Sequence, residues 1–331
     1  MTSANSDQEE FWTSNAGPTW VEQENDLDQL LSTVLDRVLE NGDLLHGHSV
    51  LDIGCGTGQS TLRAGALVGH TGHVLGADIS STMIARAKQR AEDLPHVDFA
   101  LVDAEAHSFA PARFDRAISR FGVMFFSDTT AAFRNIAAAL KPGGRISFAT
   151  WGQTQANPWF TLPAAIAKAE LGAPPKTDPD APGPFALRDI DKTCSALTTA
   201  GLTDVTGTAQ NLRLTLPGGA DQIANLSMKV GPASGTMKHF AASQSARDRI
   251  EAAASQALVT SSILVTRSTS NLTPQPVKLI AILHLRRCFE GINSVAALRS
   301  SDTDARVRNH QRSGLMFIGF RHAQTLNEVA P

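Results

Sequence analysis

The 331-residue chain has no tyrosine, only three cysteines and charges that nearly cancel. Cys55, Cys194 and Cys288 are odd in number and form no C-x-x-C pair, which argues against both a disulfide framework and a zinc site. Twenty-nine Lys and Arg against 32 Asp and Glu leave a net charge of -3, so there is no basic field suited to nucleic acid or an anionic membrane surface. No apolar run approaches the roughly 18 residues of a membrane span, and the opening MTSANSDQEE lacks the basic-then-apolar order of a signal peptide. These absences point to a soluble, reduced, cytoplasmic protein. Its length suffices to bury a core without disulfides or metal.

What is present is spread unevenly. All four tryptophans and eleven of the 15 phenylalanines precede residue 186. Residues 260–331 carry nine Lys/Arg and four Asp/Glu, while residues 1–259 carry 20 and 28. The small net charge is therefore the sum of an acidic body and a basic tail.

Leu27, Leu30, Leu31, Val34, Leu35, Val38 and Leu39 recur at spacings of three and four, predicting an amphipathic helix over 22–40 that ends at Asn41-Gly42. β-rich runs then alternate with helical stretches. Strands are expected at 48–54, 73–79, 97–103, 114–121 and 144–151, and helices from Gln59, from Ser81 and over 127–140. Ser80 and Ser127 are the expected N-caps, and Lys141-Pro142-Gly143-Gly144 reads as a helix stop and turn. This alternation predicts an α/β fold: a doubly wound, Rossmann-like, mostly parallel sheet with helices on both faces. The Pro- and Gly-rich 152–188 stretch suits a small cap insertion over the ligand crevice. A helix over 189–200, a strand or strand pair over 204–216 and helices over 220–257 complete the pattern.

The informative stretch is Val50-Leu51-Asp52-Ile53-Gly54-Cys55-Gly56-Thr57-Gly58-Gln59-Ser60, a buried strand entering a glycine turn that opens a helix. Glycines let a ligand approach the backbone, and the helix start offers free N–H groups. A dinucleotide site prefers GxGxxG. Here the spacing is GxGxG with Asp52 just before it, which would repel a pyrophosphate but suits a ligand bearing an ammonium group. A nicotinamide oxidoreductase is disfavoured on that ground. Asp78 ends the second strand, where a carboxylate can accept from two ribose hydroxyls, and Asp103-Ala104 ends the third, where an adenine amino group could be met. Ser119, Arg120 and Phe121 end the fourth.

These motifs resemble the class I S-adenosylmethionine-dependent methyltransferases, particularly the small-molecule type near the ubiquinone and menaquinone biosynthesis methyltransferases. The resemblance rests on VLDIGCGTG, VLGADIS, VDAEAHSF, FDRAISRFGVMFF and LKPGGRISFATW, supported by FWTSNAGPTW, NPWF and DAPGPFAL. It implies S-adenosyl-L-methionine as cofactor and a small-molecule methyl acceptor, and the charge balance already argues against a nucleic acid partner. On it, Gly54, Gly56 and Gly58 shape the cofactor loop, Asp52 meets the methionine ammonium, Asp78 the ribose, and Asp103 with Ala104 the adenine, with Ile79 also counted as cofactor-binding. Met83 would cover the adenine face, Ser119 would lie near the methionine, and Trp20 would close the pocket. No metal site is expected. His107 and Arg120 are weak candidates for catalytic groups, with His107 read as a surface residue and Cys55 as a small filler. A protein that binds the cofactor without turnover is the alternative.

Three segments follow from this reading: 1–45 as a helical cover for the cofactor site, 46–259 as the methyltransferase domain, and 260–331 as an atypical tail. Within the tail, ILVTRS (263–268) is expected as a last strand. Residues 275–300 are expected as a helix with Leu279, Ile282, Leu283, Phe289, Ile292 and Val295 on one side, usable for dimerisation. A fused or out-of-frame terminus is the competing expectation.

Overall fold

The computed structural model describes residues 5–267 and 277–286, with side chains described up to residue 260. Short Val-, Ile- and Leu-rich runs form β1 (Ser49–Ile53), β2 (His73–Asp78), β3 (Val97–Leu101), β4 (Phe114–Arg120) and β5 (Leu140–Thr150). These five are parallel and lie in the order β3-β2-β1-β4-β5. Two further strands, β6 (Thr203–Leu212) and β7 (Val277–Arg286), extend the sheet as β5-β7-β6 through antiparallel ladders. Four of the five β1 residues are buried, as expected for a central parallel strand covered on both faces.

The connections place the crevice. β1 leads into α5 (Gln59–Val68), β2 into α6 (Ser81–Arg90) and β4 into α7 (Thr129–Ala139). Strand order reverses between β1 and β4, and in open α/β sheets ligands bind beyond the strand C-termini at such a switch. At the chain start, α1 (Ser6–Glu10), a π-helical turn at Phe11–Asn15, α2 (Gly17–Glu22) and α3 (Glu24–Leu30) run across this end, and α4 (Ser32–Gly42) packs on β4 and β5. Val34, Leu35 and Val38 on α4 are wholly buried against that core. On the far side, α8 (Pro158–Leu171), α10 (Gly219–Lys229), α11 (Pro232–His239) and α12 (Gln244–Arg267) enclose a second apolar cluster that includes Ala167, Met237 and Ile250. Helix α9 (Ile190–Thr199) packs on β6 and α7.

Several expectations are corrected. The helix expected over 22–40 is two, broken at Leu31, where the Ser32 hydroxyl donates to the Gln29 carbonyl at 2.8 Å and bends the chain. Asp128 rather than Ser127 caps α7: its carboxylate accepts from the Ala131 N–H at 2.9 Å, while the Ser127 hydroxyl is engaged with Asn5. Ser80 does cap α6, accepting from the Met83 N–H at 3.2 Å. Lys141–Gly144 belong to β5 rather than to a separate turn. Residues 263–267 continue α12 as helix instead of forming a strand, because an apolar run fits either period and here extends an existing helix. Residues 277–286 form a strand instead of a helix, since the gap between β5 and β6 supplies ladders on both sides. Phe289, Ile292 and Val295 lie outside the described residues, as does the rest of the expected 260–331 tail beyond β7.

Candidate functional site

A cavity of about 800 Å³ opens at the C-terminal ends of β1 to β4. Its floor is the turn after β1. Gly54, Gly56 and Gly58 have φ of 64°, 57° and 93°, a region that L side chains rarely adopt. Gly54 also abuts the loop after β4: a Cβ there would lie 2.5 Å from the Gly122 Cα. The turn is pinned from below, where Gly54 and Cys55 N–H groups donate to the Ala77 carbonyl at 2.8 and 3.2 Å. It is held from the side by Arg90, which donates to the Thr57 carbonyl at 3.1 Å and to Asp28 at 2.9 Å.

The three acids divide into two kinds. Asp78 faces the cavity and accepts from the Gly56 N–H at 2.8 Å and the Ser80 N–H at 2.9 Å. Burial raises its carboxyl above the ordinary range, against the pull of these N–H groups. Asp103 also lines the cavity and takes both oxygens to the Asn5 amide, at 3.1 and 3.0 Å. Asp52 is fully buried and lies behind the wall. Its Oδ2 accepts from the Ser60 and Thr61 hydroxyls at 2.5 and 2.7 Å, and its Oδ1 has no hydrogen-bond partner. Burial pushes its carboxyl up to about 6, opposed by the two hydroxyls and by Arg120.

Of the residues singled out from sequence, Trp20, Gly54, Gly56, Asp78, Ile79, Met83, Asp103, Ala104 and Arg120 line one cavity. Asp52, Gly58, Ser119 and His107 are outside its lining. Ser119 is spent on the backbone, donating to the Ile53 carbonyl at 2.7 Å and accepting from the Gly122 N–H at 3.1 Å, so it couples the β1 and β4 turns. His107 is exposed and packs its ring edge-on against Phe109 at 4.7 Å. Cys55 is buried, and burial pushes its thiol well above the ordinary value, which suits a filler.

Beyond the strand ends the cavity becomes aromatic. Phe121 sits at φ 68°, a strained backbone for a bulky residue, and stacks on Trp151 with 4.1 Å between centroids and 5° between planes. Trp159 and Phe160 on α8 continue the wall, 5.5 and 4.9 Å from Trp151. Pro184 and the Val230–Pro232 turn complete it, so Trp159, Phe160 and Pro184 of the 152–188 segment line the cavity. Sequence reasoning missed three contributions: Asn5 on Asp103, the 229–238 segment, and the charged belt in which Glu24 binds Arg86 at 2.5 Å and Asp28 binds Arg90. These partners lie about sixty or more positions apart, and neither motif nor periodicity signals them.

A parallel sheet reversing at β1/β4, a glycine turn entering α5 and acids at successive strand ends make the crevice a candidate site for a nucleoside-bearing ligand. Residues 50–144 match the family profile described as "Methyltransferase domain". The matched segment runs from β1 through the start of β5 and includes the glycine turn and the strand-end acids, so this part of the chain is similar to methyltransferase domains. It is similar to the ubiquinone/menaquinone biosynthesis C-methyltransferase UbiE of Pseudoalteromonas translucida, 37% identical over 103 residues that cover 30% of this chain and 41% of that protein. The aklanonic acid methyltransferase DauC of a Streptomyces species is 35% identical over 114 residues, covering 34% of this chain and 52% of that one. The chain thus spans about half the length of the curated relatives it matches. Among solved structures, a chain of the complex between the Haloferax volcanii Trm112 methyltransferase activator and a protein assigned as a methyltransferase aligns over 84% of this chain and 98% of its own. That alignment has a TM-score of 0.51 at 15% identity, a likeness of fold alone.

The residues present fit S-adenosylmethionine. Asp78 and Asp103 supply carboxylates in sequence along the strand ends, and Gly56 leaves a cradle in which the nearest heavy atom to an added Cβ would be the Met83 sulfur at 3.7 Å. Arg120 also lines the cavity, with its Nη1 buried and without a hydrogen-bond partner. Among the described residues, no group of His, Cys, Asp or Glu is arranged to hold a metal ion, and no helix is long and apolar enough to cross a membrane.

Proposed function

We propose that this chain transfers the methyl group of S-adenosylmethionine to a small, ring-bearing, largely apolar acceptor held beneath the 152–188 cap. The observation that carries this reading is continuity: the strand-end acids and the Phe121–Trp151–Trp159–Phe160 wall belong to a single cavity. The names of two relatives, a ubiquinone/menaquinone biosynthesis C-methyltransferase and an aklanonic acid methyltransferase, support an acceptor of this kind.

When bound, the cofactor supplies an electrophilic methyl group whose leaving group is a neutral thioether, so no general acid is needed. The chain's task is positioning. Asp78 would accept from the ribose hydroxyls and Asp103 from the adenine amino group, with Met83 to cover the adenine face and Ile79 in the same lining. Asp52, fully buried outside the cavity lining, would reach the ammonium only through the field of its charge and holds the start of α5 through Ser60 and Thr61. The aromatic wall excludes water and fixes a planar acceptor in line with the methyl group, an effect worth about 7–11 kcal/mol.

The carboxylates of the cavity are already engaged: Glu24 by Arg86, Asp28 by Arg90, Asp78 by backbone N–H groups and Asp103 by Asn5. No histidine is among the described lining residues. The site therefore favours a nucleophile that needs little help in losing a proton, such as an enolic or phenolic oxygen or the carbon conjugated to it. Incubation with isotopically labelled cofactor and a panel of quinols, phenols, enols and amines, followed by mass spectrometry, tests this. Label entering ring-bearing acceptors is expected, and tight cofactor binding with no transfer to any member would contradict it.

A further inference from the structure

The lining of the cavity changes character along its length. Its carboxylates, Glu24, Asp28, Asp78 and Asp103, come from α3, the end of β2 and the turn after β3. From Phe121 onward, every described lining residue is apolar, a glycine or a side chain that offers a donor, and none is Asp, Glu, Asn, Gln or His. Trp159 is 5% exposed, and its Nε1 is buried with no hydrogen-bond partner. A buried indole N–H normally finds an acceptor, and leaving it without one is costly. Lys229 gives its ammonium to a neutral group, the Gln23 Oε1 at 3.0 Å. The Lys238 ammonium, on α11, has no hydrogen-bond or ion-pair partner among the described residues.

These donors lie at one end of the aromatic wall. The wall starts at Phe121, directly after β4, and passes through Trp151 to Trp159 and Phe160, whose ring centroids are 4.0 Å apart. Phe160 packs against the turn that opens α11: a Cβ added to Gly231 would lie 3.1 Å from its Cε1. Lys229 stands two residues before Gly231, and the Ser234 hydroxyl ties α11 back to the Lys229 carbonyl at 2.9 Å. The positive end of the α11 dipole adds to the two ammoniums. A planar ring on this wall therefore has one edge toward the strand ends and the other toward positive charge that no lining carboxylate pairs with.

We propose that the methyl acceptor is a ring-bearing carboxylic acid, bound with its carboxylate at Lys229 and Lys238 and a further oxygen on the Trp159 indole N–H. This rests on the methyl-transfer reading above and narrows its acceptor from a ring compound to an acid. Burial on the wall favours a ring whatever its substituents, so the donors are what select among rings. A hydrocarbon ring would leave all three without acceptors, whereas an acid supplies them. Both lysines are exposed and act as point charges at a rim, so their share is sensitive to salt, and that of the buried indole is not.

The test uses the full chain saturated with S-adenosylhomocysteine, which has no methyl group to transfer, and two probes that differ in charge: 1-hydroxy-2-naphthoate and its methyl ester. Calorimetry at low ionic strength should give about tenfold tighter binding of the acid, shrinking to about threefold or less in about 0.5 M NaCl. Lys229→Met combined with Lys238→Met should abolish the preference and leave the ester within about twofold. Trp159→Phe keeps a ring, removes the donor and should weaken both probes about threefold or more at either salt. A wild type that binds acid and ester equally would overturn the proposal, a result that needs no variant to fold. So would a preference that survives the double lysine variant, or a Trp159→Phe variant that binds both probes unchanged. Binding of S-adenosylhomocysteine with neither probe bound would overturn the ring-acceptor reading, and failure to bind S-adenosylhomocysteine would overturn the cofactor reading. Both results are distinguishable from loss of the acid preference alone.

Discussion

Replacing Asp52 by Asn should make the protein more stable and its cofactor site worse. Asp52 is wholly buried on the central strand, and its carboxyl is pushed up from an ordinary 3.8 to about 6. The folded state thus holds the proton more tightly than the unfolded chain. Stability from this group is fully present below pH about 4, declines as pH rises, and levels off above about 6, once both states are ionised. At about 1.4 kcal/mol per tenfold change, burying the ionised carboxylate costs about 3 kcal/mol at neutral pH. Asparagine keeps an acceptor for the Ser60 and Thr61 hydroxyls and removes the buried charge. The expected gain is about 3 kcal/mol at pH 8, or about 5 °C in Tm for a unit of this size, and about half of that at pH 5. Ligand-free thermal or urea unfolding of both proteins at the two pH values measures it. Calorimetry on the same samples should show weaker S-adenosylmethionine binding by the variant. A gain that does not vary with pH, or a variant less stable at pH 8, would refute the reasoning.

Other perturbations probe other parts of the site. Gly54→Ala forces a Cβ to within 2.5 Å of the Gly122 backbone at φ 64°; a stability loss of about 2–4 kcal/mol and at least tenfold weaker cofactor binding are expected from urea unfolding and calorimetry. Trp151→Ala removes a buried ring from the Phe121 stack and should cost about 3–5 kcal/mol, raising the acceptor KM more than the cofactor Kd once an acceptor is known. Ending the chain after Arg267 deletes β7 from between β5 and β6; a Tm fall of about 10 °C or more should follow, and an unchanged Tm would show that this strand contributes nothing to the fold.

Much of the fold was legible because the informative elements are local. The runs at β1, β2 and β4 are short, apolar and bounded by glycine or an acid, so their type and order could be read directly, and the order of strand-end acids came with them. The errors arose where two local solutions were nearly equal. ILVTR could extend a helix or form a strand, and residues 277–286 could do either, so neighbouring elements decided between them. The cap of α7 moved by one residue because Ser127 met Asn5, a partner 122 positions away.

The candidate site was legible in its glycines and in Asp78 and Asp103, whose backbone positions suffice to aim them into the crevice. Asp52 and Ser119 were read as facing the ligand, but strand alternation and the Gly54–Gly122 contact turn them inward, onto the Ser60 and Thr61 hydroxyls and the Ile53 carbonyl. The belt of Glu24, Asp28, Arg86 and Arg90 depends on α3 lying across α6, a placement with no sequence signature.

The central claim is that this cavity binds S-adenosylmethionine, and titrating that compound into the purified full chain tests it most directly. The account predicts saturable binding of one equivalent, much weakened in a folded Asp78→Ala variant, with no heat from NAD under the same conditions. Absence of saturable binding, or binding that Asp78→Ala leaves unchanged, would contradict it.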